Sequence, residues 1–262
     1  MTGAAGLGFW SPAAYSLFAD LRLRPALDLL ARVPALPPGP LVDLGCGAGA
    51  AAPALRARFP DRRLTGVDGS AAMLGQAAPL FDAVEEADIA SWEPGAPPAL
   101  IFSNAALHWL GGHEALIPRL AGFLVEGGAL AVQMPGQLDR PSHRTMIAAA
   151  AAVRPDLFSG WTPFPGPLPL PDYAALLPGF ALDLWETEYL QRMERPGAGG
   201  HPVRAFTSST GGRPILDALD AGEAARFAAL WDEALAAAYP LDGAGGCWFP
   251  FRRVFFTARK GS

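Results

Sequence analysis

The run Leu41-Val42-Asp43-Leu44-Gly45-Cys46-Gly47-Ala48-Gly49 reads as a buried strand that carries one acid and then turns on glycines. Glycine lacks a Cβ, so the backbone there can take left-handed angles and approach a ligand closely. The alanine-rich segment 50–59 that follows suits a helix. A ligand would then lie over a helix N-terminus, at the carboxyl end of the first strand of an open α/β sheet. Asp43 narrows the ligand's charge: it would repel a pyrophosphate and attract an ammonium. Because Gly45 to Ala50 also match the looser dinucleotide pattern G-x-G-x-x-A, the turn alone leaves a nicotinamide or flavin fold, or a purely structural turn, open.

Two further acids sharpen the reading. Leu64-Thr65-Gly66-Val67-Asp68 is a second apolar strand ending in a carboxylate. Asp68 stands about 20 residues past the glycine turn, where a ribose-binding acid belongs. The segment Val84-Glu85-Glu86-Ala87-Asp88-Ile89 offers a third strand ending at Asp88, which also fits as a turn or helix cap. Three acids at three successive strand ends are more specific together than any one alone. This spelling resembles class I S-adenosylmethionine-dependent methyltransferases. The resemblance implies that Asp43 faces the methionine ammonium, Asp68 the ribose and Asp88 the adenine amino group, with Gly45, Gly47 and Gly49 giving close backbone approach.

Composition sets the bounds. The chain has 262 residues, of which 51% are hydrophobic and 17% charged, so it can bury a full core and is no disordered segment. A net charge of -5, with no basic run longer than a pair, argues against a nucleic-acid partner. Cys46 and Cys247 make neither a metal spacing nor a disulfide framework, and no metal is expected. There is no basic-then-apolar leader, and the alanine run 147–153 is too short for a bilayer. A cytoplasmic protein without membrane association is expected, and its oligomeric state is left open.

Strand and helix signals alternate up to about residue 135, which implies βαβ units and a parallel sheet. Residues 11–33 read as helix, started by Ser11-Pro12 and broken or restarted at Pro25. Residues 99–102 and 129–133 read as the fourth and fifth strands, with a helix over 113–124 between them. From Pro155 to Pro178 the prolines are too dense for a regular element. A strand is expected over 181–189, a glycine-rich loop over 195–202, helices over 214–220 and 222–238, and a closing strand over 254–258. The expected architecture is a Rossmann-like, seven-stranded, mostly parallel sheet in one domain of residues 1–262. Within it, 1–38 form a helical arm, 39–135 the cofactor half, and 136–262 the late strands with a helical cap over the ligand end.

Over nearly its whole length the chain resembles the trans-aconitate 2-methyltransferase family. The residues that carry this include Trp10-Ser11-Pro12-Ala13-Ala14-Tyr15, Arg22-Leu23-Arg24-Pro25-Ala26, Asn104-Ala105-Ala106-Leu107-His108-Trp109, Gln133-Met134-Pro135, Gly211-Gly212-Arg213-Pro214 and Phe249-Pro250. It departs from the family at His108-Trp109, where Gln-Trp is usual, at 205–209, at an extra Phe251, and at the glycine loop 197–200. The departures fall in or near the cap, and so bear on the acceptor rather than the donor.

The resemblance implies S-adenosylmethionine as cofactor, with Asn104 joining the three acids around it. It also implies a small carboxylic acid as acceptor. A carboxylate is already ionised at neutral pH, so no general base is expected and no catalytic residue is assigned. Catalysis rests on placing the oxygen against the methyl group in a dry site. The candidate acceptor residues are Trp10, Tyr15, Arg24, His108, Trp109 and Arg213, with Arg252 or Arg253 as a further cation. His108 also fits as a cap of the fourth strand, and His143 and His201 read as surface residues. Replacing Arg213 by alanine is expected to raise the acceptor KM. The competing readings are another acceptor such as a malonyl thioester, a non-catalytic cofactor-binding module, and a dinucleotide oxidoreductase.

Overall fold

The structure is a computed structural model. It describes residues 19–194, 197 and 199–261, with side chains from residue 23 on. Seven strands form one sheet: β1 (Leu41–Leu44), β2 (Leu64–Asp68), β3 (Ala83–Glu86), β4 (Leu100–Asn104), β5 (Ala129–Pro135), β6 (Ala181–Met193) and β7 (Cys247–Arg259). Their spatial order is β3-β2-β1-β4-β5-β7-β6. The first five run parallel, and β7 is antiparallel to both of its neighbours. The chain leaves β1 toward β2 and β3, then returns to β4 on the other side of β1. This switch opens a crevice at the strand carboxyl ends, where such sheets bind ligands.

Every residue of β1 is buried, as expected of a strand covered on both faces. Helices α1 (Ala19–Ala31), α2 (Ala52–Arg58) and α3 (Ala71–Ala77) cover one face, where Leu29, Leu55 and Leu74 pack under Phe102 and Phe255. Helix α4 (His113–Gly122) covers the other, where Leu116, Ile117 and Leu120 pack under Ile101 and Val132. Prolines contradict the expected breaks. Pro25 lies inside α1 and is buried, so packing of its ring offsets the lost backbone hydrogen bond. The proline-dense stretch holds two short helices, α6 (Pro155–Phe158) and α7 (Leu170–Leu176), each with a proline in its first two positions. Proline is favoured there, because the first turn has no acceptor for its missing N–H.

The cap is a third core. In β7, Arg253 pairs with Pro135 at the end of β5, so Cys247 to Arg252 project past the carboxyl end of the parallel strands, together with the outer half of β6. Five helices pack there: α5 (Pro141–Val153), which the sequence reading did not anticipate, α6, α8 (Pro202–Ser208), α9 (Arg213–Ala218) and α10 (Ala221–Ala238). Met146, Phe206, Phe227 and Trp231 close on Met193, Phe249 and Phe251. Helix α8 begins at Pro202, inside the expected loop. His201 caps it, and His201 is buried rather than on the surface, with its Nε2 3.0 Å from the Tyr239 carbonyl. Among the described residues no helix is long and apolar enough to cross a membrane.

Candidate active site

The glycine turn sits where β1 ends. Gly45, Gly47 and Gly49 have φ of +78°, +54° and +84°, angles that side chains rarely adopt. A Cβ on Gly45 would lie 2.2 Å from the Ala106 Cβ, so this glycine lets the loop after β4 close on the turn. A Cβ on Gly47 would meet open space. Gly45 therefore serves packing within the protein, while Gly47 faces outward. The Gly47 N–H donates to Asp68 Oδ2 at 2.8 Å, and Ser70 N–H donates to Asp68 Oδ1 at 2.9 Å, so Asp68 and the turn hold each other. Cys46 is buried and packs on Gly66, where a Cβ would come within 3.0 Å of its Sγ.

Asp43 is 2% exposed, and its Oδ2 has no hydrogen-bond partner among the described residues. Burial, and secondarily the Asp68 charge, pushes its carboxyl up to about 7. A buried acid without a partner is costly unless something cationic meets it. Asn104 Oδ1 and both side-chain polar atoms of Gln133 are likewise buried without partners among the described residues. Asn104 and Gln133 are cross-strand neighbours, and strand alternation puts them on the same sheet face as Asp43. In the sequence Gln133 stands out only as part of a family motif, although its polarity at the end of a buried strand is a usable signal. Asp88 lies in the exposed loop past β3, and its Oδ1 accepts from Ala90 N–H at 2.9 Å, so it does cap a turn there.

Beside this polar row is a cavity. Its floor is Ala105 and Pro135, at the ends of β4 and β5, and its aromatic walls are Trp109, Phe164, Phe206 and Phe251. Its polar lining is His108, His143, Thr207, Thr210 and Arg253. Ala105 has φ of +55°, the one left-handed non-glycine among the described residues, and backbone strain of this kind gathers at working sites. Ala105 directly precedes the Ala106 that touches Gly45, so turn and cavity adjoin.

His108 is buried with its Nδ1 unpartnered among the described residues. Burial first, then the Arg253 charge, holds its imidazole well below the usual histidine range, so the ring is neutral. Its turn is braced by His113: Nε2 reaches the Leu107 carbonyl at 2.9 Å and Nδ1 lies 2.7 Å from Tyr173 Oη. A carbonyl only accepts, so Nε2 donates to it. Trp109 packs against this scaffold, its ring tilted to that of His108 at 4.8 Å between centroids and edge-on to that of Phe164 at 5.1 Å.

The arginine expectations divide. Arg253 is 3% exposed, lines the cavity, and sits 4.3 Å from the Phe251 ring centroid. Arg252 points the other way, to the Gly136 carbonyl and Asp139. Arg213 is not at the cavity: its side chain is 53% exposed and paired with Asp217 one helical turn on. Arg24 is exposed, with its guanidinium over the Tyr189 ring, and does not line the cavity either. His143, expected at the surface, is buried and lines the cavity. Trp10, Tyr15 and the Ser11-Pro12 helix start lie outside the described residues.

Residues 17–164 match the family described as a methyltransferase domain. The chain is 43% identical to trans-aconitate 2-methyltransferase of Methylobacterium nodulans, over 96% of this chain and 98% of that one. It is 42% identical to the enzyme of that name from Paracidovorax citrulli, with the same coverage. Among solved structures, it superposes on phosphoethanolamine N-methyltransferase 2 of Haemonchus contortus, solved with S-adenosyl-L-methionine, with a TM-score of 0.54 at 17% identity, over 95% of this chain and 57% of that one. The sheet order, the acid-and-glycine turn and near-full-length relatives at this identity agree: the chain belongs to the trans-aconitate 2-methyltransferase family.

Proposed function

We propose that this chain transfers the methyl group of S-adenosylmethionine to a carboxylate of a small polycarboxylic acid, and that the acid is trans-aconitate. Membership of the family supports the reaction. The observation that carries the acceptor reading is Arg253, a buried cation in an aromatic-walled cavity that adjoins the glycine turn.

The residues on the donor side fit the cofactor. Asp43 receives the methionine ammonium, which supplies the charge its buried carboxylate lacks, and Gly47 leaves the backbone open to close approach. Asp68 uses one lone pair of each oxygen on the turn, and a carboxylate has about four acceptor positions, leaving capacity for the ribose hydroxyls. Asp88 takes the adenine amino group, and Asn104 completes the pocket. When bound, the cofactor supplies an electrophilic sulfonium methyl.

On the acceptor side Arg253 anchors a carboxylate, and a planar guanidinium can do so with two parallel hydrogen bonds. His108 and Trp109 form the wall against which the acceptor lies. His108 is neutral and gives the acceptor a hydrogen-bonding partner without a second charge. No side chain needs to remove a proton, because the reacting carboxylate is ionised. An anion and a cation neutralise each other during transfer, so the aromatic walls favour the step by excluding water. We read residues 1–262 as one methyltransferase unit acting in the cytoplasm.

Formation of S-adenosylhomocysteine with trans-aconitate, run beside citrate, cis-aconitate and a malonyl thioester, tests the reading. Turnover selective for trans-aconitate is expected. Cofactor binding with no turnover on any of the four overturns the acceptor assignment.

A further inference from the structure

His143 is a cavity residue that neither a sequence motif nor the donor geometry accounts for, and its hydrogen bonding fixes what it can offer. The backbone N–H of Arg252 donates to Gln137 Oε1 at 3.0 Å, which sets the orientation of that amide. Its Nε2 then faces Ser142 Oγ at 3.5 Å and the Pro250 carbonyl at 3.4 Å. An amide nitrogen only donates, so Ser142 Oγ accepts from it, and among the described residues the acceptor within reach of the serine's own hydrogen is His143 Nδ1, 3.1 Å away. The imidazole proton therefore sits on Nε2. Gln137, Ser142 and His143 are all buried, so solvent does not compete for these bonds.

The Nε2 edge is the one turned away from Ser142. It lies 3.6 Å from where a Cβ on Gly211 would stand, and Phe164 packs on the ring at 5.7 Å between centroids. His143 lines the same cavity as His108 and Arg253. Burial pushes its imidazole down to about 4, so at neutral pH it is an uncharged donor.

We infer that His143 is an acceptor-binding residue whose Nε2–H donates a hydrogen bond to a second carboxylate of the acid held by Arg253, making this cavity selective for acids with more than one carboxyl group. Gln137 and Ser142 are positioning residues that keep the proton on Nε2. This rests on the acceptor reading above. A second anchor on a neutral donor fixes the orientation of the acid, and so which carboxylate meets the methyl group, without the desolvation cost of a second buried cation.

The test compares wild type, His143→Phe and His143→Gln on trans-aconitate and on the three dicarboxylates that each lack one of its carboxyl groups. Phenylalanine keeps the packing against Phe164 and removes the donor. Glutamine places an amide N–H near the Nε2 position. His143→Phe is expected to raise the trans-aconitate KM about ten- to hundredfold, the scale of a lost hydrogen bond to a charged group. One dicarboxylate should be unaffected by the substitution, because it lacks the contacted group, and His143→Gln should restore most of the loss. S-adenosylhomocysteine affinity should stay within about twofold of wild type. An equal loss on all four acids, or no loss on any, overturns the inference. No turnover by the wild type on trans-aconitate overturns the acceptor reading itself, and this inference with it. As an independent readout, 15N NMR of the His143 ring should show the Nε2–H form, and the Nδ1–H form would contradict the relay.

Discussion

The glycine turn and the cavity adjoin at the end of one sheet, yet they are built in opposite ways. The turn takes its parts from adjacent residues, Asp43 to Gly49, with Asp68 reaching across from the next strand. The cavity draws its side chains from the turn after β4, from the end of β5, from α5, from the proline-rich loop, from α8 and from β7, so its parts span residues 105–253. The turn presents an anion short of a partner. The cavity presents a cation among aromatic rings. The turn is thus specified locally and electrostatically, and the cavity by long-range packing. The two should fail independently.

The largest effect should come from Asp43→Asn. On the proposed reading it removes the charge that meets the ammonium, and S-adenosylhomocysteine binding should weaken at least about a hundredfold, since breaking a buried ion pair costs about 3–5 kcal/mol. The same substitution should stabilise the ligand-free protein. The Asp43 carboxyl titrates at about 7 in the fold, against a reference of 3.8. Between those values the folded chain holds a proton that the unfolded chain has lost, so stability falls as pH rises from about 4 to about 7. At about 1.4 kcal/mol per pH unit, Asp43→Asn should recover a few kcal/mol at pH 8, seen as a higher Tm. A lower Tm would show that Asp43 is satisfied within the fold and is not waiting for a ligand.

Arg253→Met should raise the acceptor KM by about a hundredfold, the scale on which a buried charge pair is lost. Its effect on cofactor affinity should be small. A loss of both would mean that the two sides are one coupled site.

The pH dependence of binding sharpens the contrast. Below pH 7 Asp43 carries a proton that must leave before an ammonium can be met, so S-adenosylhomocysteine affinity should fall with decreasing pH, toward about tenfold per unit. His108 and His143 are neutral across this range, so the acceptor KM should show no histidine titration between pH 6 and 8. A step near pH 6.5 in the acceptor KM would contradict their burial.

The smallest effect concerns Arg213. As an exposed partner of Asp217 it contributes on the order of 0.5 kcal/mol or less, and Arg213→Ala should leave the acceptor KM unchanged within about twofold. A large rise in KM would restore the role that the sequence suggested.

This pattern also explains what could be read in advance. The parallel strands, the glycine turn and the acids at their ends were legible because each rests on a few neighbouring residues: an apolar run, an acid, a glycine. The prolines misled because they act by position. Pro155 and Pro171 begin helices rather than end them, and the burial of Pro25 is a tertiary fact. His143 and His201 escaped a local reading because their burial is tertiary: His143 faces Phe164 on the proline-rich loop, and His201 reaches a carbonyl on a distant turn. Arg253 was separable from Arg252 in principle. Cys247, Phe249, Phe251 and Arg253 alternate along one face of β7, but only a strand begun seven residues earlier than expected reveals it.

Calorimetric titration of S-adenosylhomocysteine into Asp43→Asn and Arg253→Met, side by side at pH 8, tests the separation of donor and acceptor sides most directly. Wild-type affinity in Arg253→Met with binding lost in Asp43→Asn is the predicted result. Undiminished binding by Asp43→Asn, or its loss in Arg253→Met, would contradict the account.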